Sequence, residues 1–159
     1  MNYFEIGSIS YFTNVPKGYY PTEEEAESVA ETLVEAFDAK LGKSQFSNEL
    51  AIIGAEVRLG CIIATITIGA SIAAIHRFIK NYPSFRPGLL LLLQDLNGLV
   101  ILVRGNKQRT YLYRDDIAPA EELKAIADKI EQKSVEPVQP QKRLTKRSRG
   151  RAESGAPLS

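Results

Sequence analysis

The stretch from Leu59 to Ile79 constrains the fold of this chain more than any other part of the sequence. It holds seven isoleucines and carries no charged side chain before His76. Its polar side chains up to that point are Cys61, Thr65, Thr67 and Ser71. A helix needs roughly 20 apolar residues to cross a bilayer. The rest of the chain is therefore interpreted according to whether this stretch crosses a membrane or fills a protein core.

The flanks of this stretch favour the membrane interpretation. Arg58 precedes it, and Arg77 and Lys80 close it beside the aromatic rings of Phe78 and Tyr82. Basic and aromatic side chains commonly anchor a span at the membrane surface. We predict a single hydrophobic transmembrane helix over residues 59–80.

Small residues recur along this predicted helix at spacings of four and three, which places them on one side of it. They form a small-residue seam, and close backbone approach along such a seam favours association of helices in lipid. The seam therefore predicts a homo-oligomer. Its members are Gly60, Ala64, Thr67, Ser71 and Ala74.

The alternative is a buried strand followed by a helix, since isoleucine and threonine favour strands. Ile62, Ala64 and Ile66 would then face inward, and Thr65 and Thr67 outward. Gly69 would end the strand, and residues 70–80 would form a separate amphipathic helix. Periodicity does not separate a buried strand from a buried helix in so apolar a run.

Residues 1–58 predict a β-α-β unit. Asn2 to Thr13 alternates apolar with small or polar residues, and Leu50 to Val57 forms the second strand. Between them, Thr22 and Glu25 are spaced as a capping box, and Gly42 ends the helix. The apolar face of this helix repeats every four residues. It consists of Val29, Leu33, Phe37 and Leu41.

Residues 81–133 predict a short helix, a β-hairpin and an amphipathic helix. Pro87 and the pair Asn97-Gly98 frame the short helix. The hairpin joins residues 99–103 to residues 110–113 around the turn that starts at Arg104. Pro119 begins the last helix. With the preceding segments this makes an α+β chain.

Residues 134–159 have little aliphatic content and no aromatic residue, which predicts a disordered basic tail. Six basic side chains cluster there and are candidates for contact with anionic lipid or with nucleic-acid phosphate, the alternative being a tail that only aids solubility. They are Lys142, Arg143, Lys146, Arg147, Arg149 and Arg151.

Charge is distributed unevenly along the 159 residues. Residues 1–58 hold four Lys and Arg against ten Asp and Glu, whereas the remainder is basic. Basic segments beside a span tend to stay in the cytoplasm, which predicts a membrane protein with its C-terminal side cytoplasmic. The strand-and-helix alternative predicts a cytoplasmic protein. A single cysteine excludes a disulfide within the chain.

Little in the sequence indicates catalysis. His76 is the only histidine, Cys61 has no neighbouring charge to lower its pKa, and the pair Asp115-Asp116 precedes a helix that it is expected to cap. No zinc spacing, phosphate-binding glycine loop or other cofactor motif is present. We therefore predict no catalytic residue, no metal and no cofactor.

Taken together, these features predict a small membrane-associated protein without enzymatic activity that acts by anchoring and oligomerisation. Membrane lipid and further copies of the chain are the predicted partners. The alternative is a soluble α+β interaction module that is an obligate oligomer. A weaker alternative is a nucleic-acid-binding protein that uses the basic tail.

Overall fold

A computed structural model describes residues 2–144, which form four helices and one five-stranded antiparallel sheet. The sheet curls into a half-barrel with the strand order β2-β3-β1-β5-β4. The elements are β1 (Phe4–Thr13), α1 (Glu23–Gly42), β2 (Leu50–Arg58), β3 (Ile62–Ala70), α2 (Ile72–Lys80), α3 (Tyr82–Gln94), β4 (Leu99–Val103), β5 (Asn106–Asp115) and α4 (Ala120–Glu131).

Register shifts account for the curl of the sheet. The pairing slips once between β1 and β3, once between β1 and β5, and once between β2 and β3. An extra residue on one strand bends that strand and increases its twist. The inner, concave face of the sheet therefore wraps around apolar helix side chains, and the outer face is directed towards solvent.

Helix α1 packs in the concave face, as its sequence pattern predicts. Thr22 and Glu25 form the predicted capping box, with bonds of 3.1 Å from the Glu25 amide and 2.8 Å from the Thr22 amide. The four apolar residues that repeat along α1 are all buried. However, β1 and β2 do not form a two-strand unit under this helix, because β3 lies between them in the sheet.

The prediction of one long hydrophobic helix over residues 59–80 is wrong. This stretch forms a turn, strand β3 and helix α2, which is the alternative that the sequence left open. Ile62, Ala64 and Ile66 are buried, and β3 pairs on both sides, with β1 and with β2. Among the described residues, no helix has the length and apolarity that crossing a membrane requires.

The small-residue seam consequently does not exist as one face. Gly60 lies in the turn between β2 and β3, Ala64 faces the core, and Thr67 lies on the outer side of β3. Ser71 is the N-cap of α2 and accepts a 3.2 Å bond from the amide of Ala74. The spacing that predicted a stripe applies to a continuous helix and has no meaning across a strand and a turn.

Helices α2 and α3 close one end of the core through aromatic contacts. The rings of Phe78 and Phe85 stack with their centres 3.9 Å apart, and Phe46 meets both rings edge-on. From the sheet, the hydroxyl of Tyr11 donates a 2.9 Å bond to the carbonyl of Leu93. Burial raises the pKa of Tyr11, and nearby carboxylates raise it further, so this hydroxyl stays protonated and remains a donor.

The second half of the chain follows its predicted order. Pro83 lies in the first turn of α3 and Pro87 inside it, and α3 ends before Asn97-Gly98. The β4–β5 hairpin turns on two residues, Arg104 and Gly105, which both have positive φ. Helix α4 begins after Pro119 and packs on α2 through buried residues such as Leu123 and Ala127.

The first part of the predicted disordered tail is attached to the sheet, which corrects the expectation for residues 134–144. Val138 exchanges two backbone bonds of 3.1 and 2.7 Å with Tyr3. Further on, the amide of Gln141 donates to the carbonyl of Ile52 at 2.8 Å, and Leu144 pairs in parallel with Ala55. Residues 138–144, here called the C-terminal strap, therefore cover the β2 edge of the sheet. The predicted disorder of residues 145–159 lies outside the described residues.

Candidate interaction surface

The two side chains with the most reactive chemistry lie apart from each other. His76 is exposed on α2, and Cys61 is exposed in the turn between β2 and β3. Cys61 is therefore not the apolar filler that its place in the isoleucine run suggested. The described residues do not pair either side chain with a nucleophile or a base, which is the minimum arrangement for covalent or acid–base catalysis.

The Asp115-Asp116 pair does not cap α4, contrary to the sequence prediction. Asp115 lies at the end of β5, where it forms an ion pair with Arg86 of α3 and accepts a 3.1 Å bond from the amide of Ile117. Asp116 lies 3.3 Å from Arg114. The N-cap of α4 is Pro119, which has no capping side chain. Within residues 2–144, acidic, cysteine and histidine side chains form no group of three that could hold a metal ion.

A shallow polar cleft of about 390 Å³ lies on the outer face of the sheet. Two of its hydroxyl groups are hydrogen-bonded to each other, since the Ser10 and Thr65 oxygens lie 2.8 Å apart. A serine becomes a nucleophile only when a base accepts its proton, and a second hydroxyl does not do so. This pair of hydroxyl groups therefore contains no activated nucleophile. Its charged lining residues are Glu56, Arg58, Arg114 and Asp116.

The basic cluster predicted for lipid or phosphate contact falls largely outside the structure. Lys142 forms a 3.1 Å ion pair with Asp38 of α1, and Arg143 is exposed. The remaining four, Lys146, Arg147, Arg149 and Arg151, lie outside the described residues. Their contact with lipid or nucleic acid stays a prediction.

Within residues 2–144, the largest group of exposed apolar side chains lies on the outer face of the β4–β5 hairpin, beside a half-buried phenylalanine of strand β1. We call it the outer patch. Tyr111 lies opposite Phe12 in the register, and Tyr111 is also a diagonal neighbour of Val100. Four of its members are 40–63 % exposed. The outer patch consists of Phe12, Val100, Leu102, Tyr111 and Tyr113.

Basic side chains border the outer patch. Lys107 lies opposite Leu102, and Arg109 lies opposite Val100, both in outward positions of β5. Tyrosine and arginine are enriched in protein interfaces, and exposed apolar patches with a polar rim can mark interaction sites. The outer patch and its basic border therefore share their residue types with protein interfaces.

Strand β4 is also an open edge of the sheet. The described residues place no strand beyond it, whereas the opposite edge, β2, is covered by the C-terminal strap. Edge strands are usually protected by a lysine, a proline or a covering segment. β4 reads LVILV and, apart from being short, carries none of these devices.

A cluster at the hairpin turn holds this edge in place. The Nε of Arg104 donates a 2.6 Å bond to the Glu25 carboxylate, and the guanidinium lies 4.1 Å from the centre of the Tyr19 ring. The bond from the Thr22 amide, with the neighbouring Tyr19 hydroxyl and the bond from Arg104, lowers the pKa of Glu25 to about 2. The N-terminus of α1 thereby anchors the turn and keeps Arg104 in its left-handed conformation (φ 51°).

The sequence predicted the β4–β5 hairpin but not its exposed face. In β5, the alternation of Lys107, Arg109 and Tyr111 with less exposed residues marks the outward positions. In β4 all five residues are apolar, so the sequence offers no signal that separates the faces. Aligning β4 with β5 across a two-residue turn would have identified Val100 and Leu102 as outward residues. In that alignment they lie opposite the charged residues Arg109 and Lys107.

The comparisons with known proteins do not add a family to this description. The chain matches no protein-family model, and no curated protein or solved structure shows significant similarity to it.

Proposed function

We propose that this chain is a non-enzymatic interaction module that assembles with further copies of itself through the β4 side of its sheet. The observation that supports the proposal is the coincidence, on one strand, of an open edge and two strongly exposed aliphatic side chains, Val100 and Leu102. Backbone bonds along an edge provide affinity, and side chains beside it provide specificity.

This proposal does not include the membrane anchor that the sequence predicted. The residues expected to span the membrane instead form β3 and α2, which contribute to the core. Oligomerisation remains, but through a different surface. The Tyr19–Glu25–Arg104 cluster supports it, because a surface held by such contacts loses less conformational entropy on binding.

The test is the solution mass of the purified full-length chain, measured by analytical ultracentrifugation over a wide range of protein concentration. The key variant is Leu102→Lys, which places a charge in the outer patch at a 63 % exposed position. The matched control is Leu91→Lys, because this leucine is 66 % exposed and lies on α3, outside the outer patch.

We expect the wild type and Leu91→Lys to form oligomers with the same concentration dependence and Leu102→Lys to stay monomeric. A charge buried against apolar groups weakens an interface strongly. A wild type that is monomeric at every concentration, or a Leu102→Lys variant that associates like the control, would contradict the proposal.

A further inference from the structure

The geometry of the hairpin shows which backbone groups of β4 form no hydrogen bond with β5. In an antiparallel ladder, residues alternate between pairs that exchange backbone bonds and pairs that do not. Arg109 directs its backbone the other way, towards Asn14: its carbonyl accepts a 3.2 Å bond from the Asn14 amide, and its amide donates a 3.1 Å bond to the Asn14 side chain. The Val100–Arg109 pair is therefore a non-bonded one, and by alternation so is Leu102–Lys107.

It follows that the N–H and C=O groups of Val100 and Leu102 point away from β5, into the open edge. These same two residues carry the exposed aliphatic side chains of the outer patch. Ile101, between them, directs its backbone to β5 and its side chain into the core. The edge thus offers four backbone groups centred on Ile101.

Resting on the proposed function, we infer that two copies pair antiparallel through β4, with Ile101 of each copy on the two-fold axis. In this register Val100 of one copy lies opposite Leu102 of the other, and each such pair exchanges two backbone bonds. All four open groups of each strand are then used. The two sheets continue into one, and the outer patches of the two copies become neighbours.

Two-fold symmetry favours antiparallel over parallel pairing of the two strands. An axis perpendicular to the sheet relates antiparallel strands and keeps the outer faces of both copies on the same side. A two-fold axis along the strands would make the pair parallel and would turn the outer face of one copy to the other side of the joined sheet. The exposed side chains of Val100 and Leu102 therefore meet those of the other copy only in the antiparallel arrangement.

The other edge of the sheet explains why assembly would stop at two copies. A two-fold contact uses the same surface on both subunits and closes on itself. Open-ended stacking of sheets would need a second free edge, but the strap occupies the β2 edge through Gln141 and Leu144. The expected assembly is therefore a dimer and not a filament.

The register is tested by disulfide trapping of the full-length chain in a Cys61→Ser background, because the exposed Cys61 would otherwise cross-link. Two variants are made, Val100→Cys and Leu102→Cys, and are oxidised separately and as an equimolar mixture. Opposed residues in a bonded antiparallel pair have Cα atoms about 5.5 Å apart, which a disulfide spans. Diagonal positions lie roughly 7–8 Å apart, which it does not.

We expect the mixture to form cross-linked dimer several-fold faster than either variant alone. Fast cross-linking of one variant by itself would mean a two-fold axis at that residue and would overturn the register. Each variant must keep the thermal midpoint of the background protein. A measurement without substitutions supports the test: the amides of Val100 and Leu102 should gain protection from hydrogen exchange as protein concentration rises.

The outcomes separate this inference from the proposed function. If the chain is dimeric and Leu102→Lys is monomeric, but neither cross-linking nor amide protection is seen, the inferred edge pairing is wrong and association through the outer patch is supported. If the chain is monomeric at every concentration, the proposed function and the inferred edge pairing are both wrong. Protection of these amides only after addition of a foreign peptide would assign the edge to another partner and overturn the inference.

Discussion

Ala64 and Thr67 show at the scale of single residues why β3 is a strand. In a helix both would belong to the small-residue seam, but in the structure Ala64 faces the packed interior and Thr67 the outer side of the sheet. We expect Ala64→Leu to lower the free energy of unfolding by about 1–3 kcal/mol, because added methyl groups overpack a filled core.

Thr67→Leu is the matched control, since it adds a leucine at another seam position. At this half-exposed site we expect a change well below that of Ala64→Leu, within about 0.5 kcal/mol as for most surface substitutions. Urea unfolding monitored by circular dichroism measures both. Equal effects of the two substitutions would contradict the assignment of opposite faces.

Glu25 links the start of α1 to the hairpin turn through its charged form. Its pKa lies at about 2 in the folded protein and at its ordinary value of 4.5 when the chain is unfolded. The stabilisation is therefore fully present above about pH 4.5 and is lost as the pH falls towards 2. We expect Glu25→Gln to unfold more easily than the wild type at neutral pH, with the difference shrinking through this window.

Urea midpoints measured from pH 7 down to pH 2 would check this expectation. Glu24→Gln is the control, because Glu24 lies in the same acidic first turn and Glu25 remains the partner of Thr22. If the difference between the wild type and Glu25→Gln does not depend on pH, the ionised carboxylate does not provide the stabilisation.

At the scale of elements, the strap is the segment whose role is most open to test. The amide of Gln141 donates to the Ile52 carbonyl, and proline has no amide hydrogen. We expect Gln141→Pro to lower the free energy of unfolding by about 0.5–1.5 kcal/mol, the usual contribution of one hydrogen bond, and to increase aggregation by uncovering the β2 edge.

Gln141→Ala keeps the amide and is the control, expected to stay within about 0.5 kcal/mol of the wild type. Urea unfolding and static light scattering provide the two measurements. If the proline variant is as stable as the alanine variant and aggregates no more than it does, the strap does not protect this edge.

At the scale of the whole molecule, self-association couples stability to concentration. A partner that binds only the folded chain raises its apparent stability by mass action. The thermal midpoint of the wild type should therefore rise with protein concentration, and that of Leu102→Lys should not. Differential scanning fluorimetry over a wide concentration range measures this, with Leu91→Lys as the control. A constant wild-type midpoint would argue against association in the folded state.

Local signals in the sequence were sufficient to predict some of the elements. The capping box of Thr22 and Glu25 and the four-residue repeat from Val29 onward placed α1, because a helix satisfies its own backbone and needs no distant partner. The turn residues that follow Val103 likewise predicted the β4–β5 hairpin, because its strands are neighbours along the chain. The structure shortens the predicted turn to Arg104 and Gly105, and β5 begins at Asn106 instead of Thr110.

The secondary structure of residues 59–80 and the exposed face of the hairpin instead depend on tertiary contacts. An apolar run buried on all sides suits a strand or a helix equally, and β3 is a strand because β1 and β2 supply partners for its backbone on either side. In the same way, Val100 and Leu102 face outward because α1 fills the concave face of the sheet and β5 sets their register. Both outcomes depend on hydrogen bonds and contacts between residues far apart in sequence, which no local pattern contains.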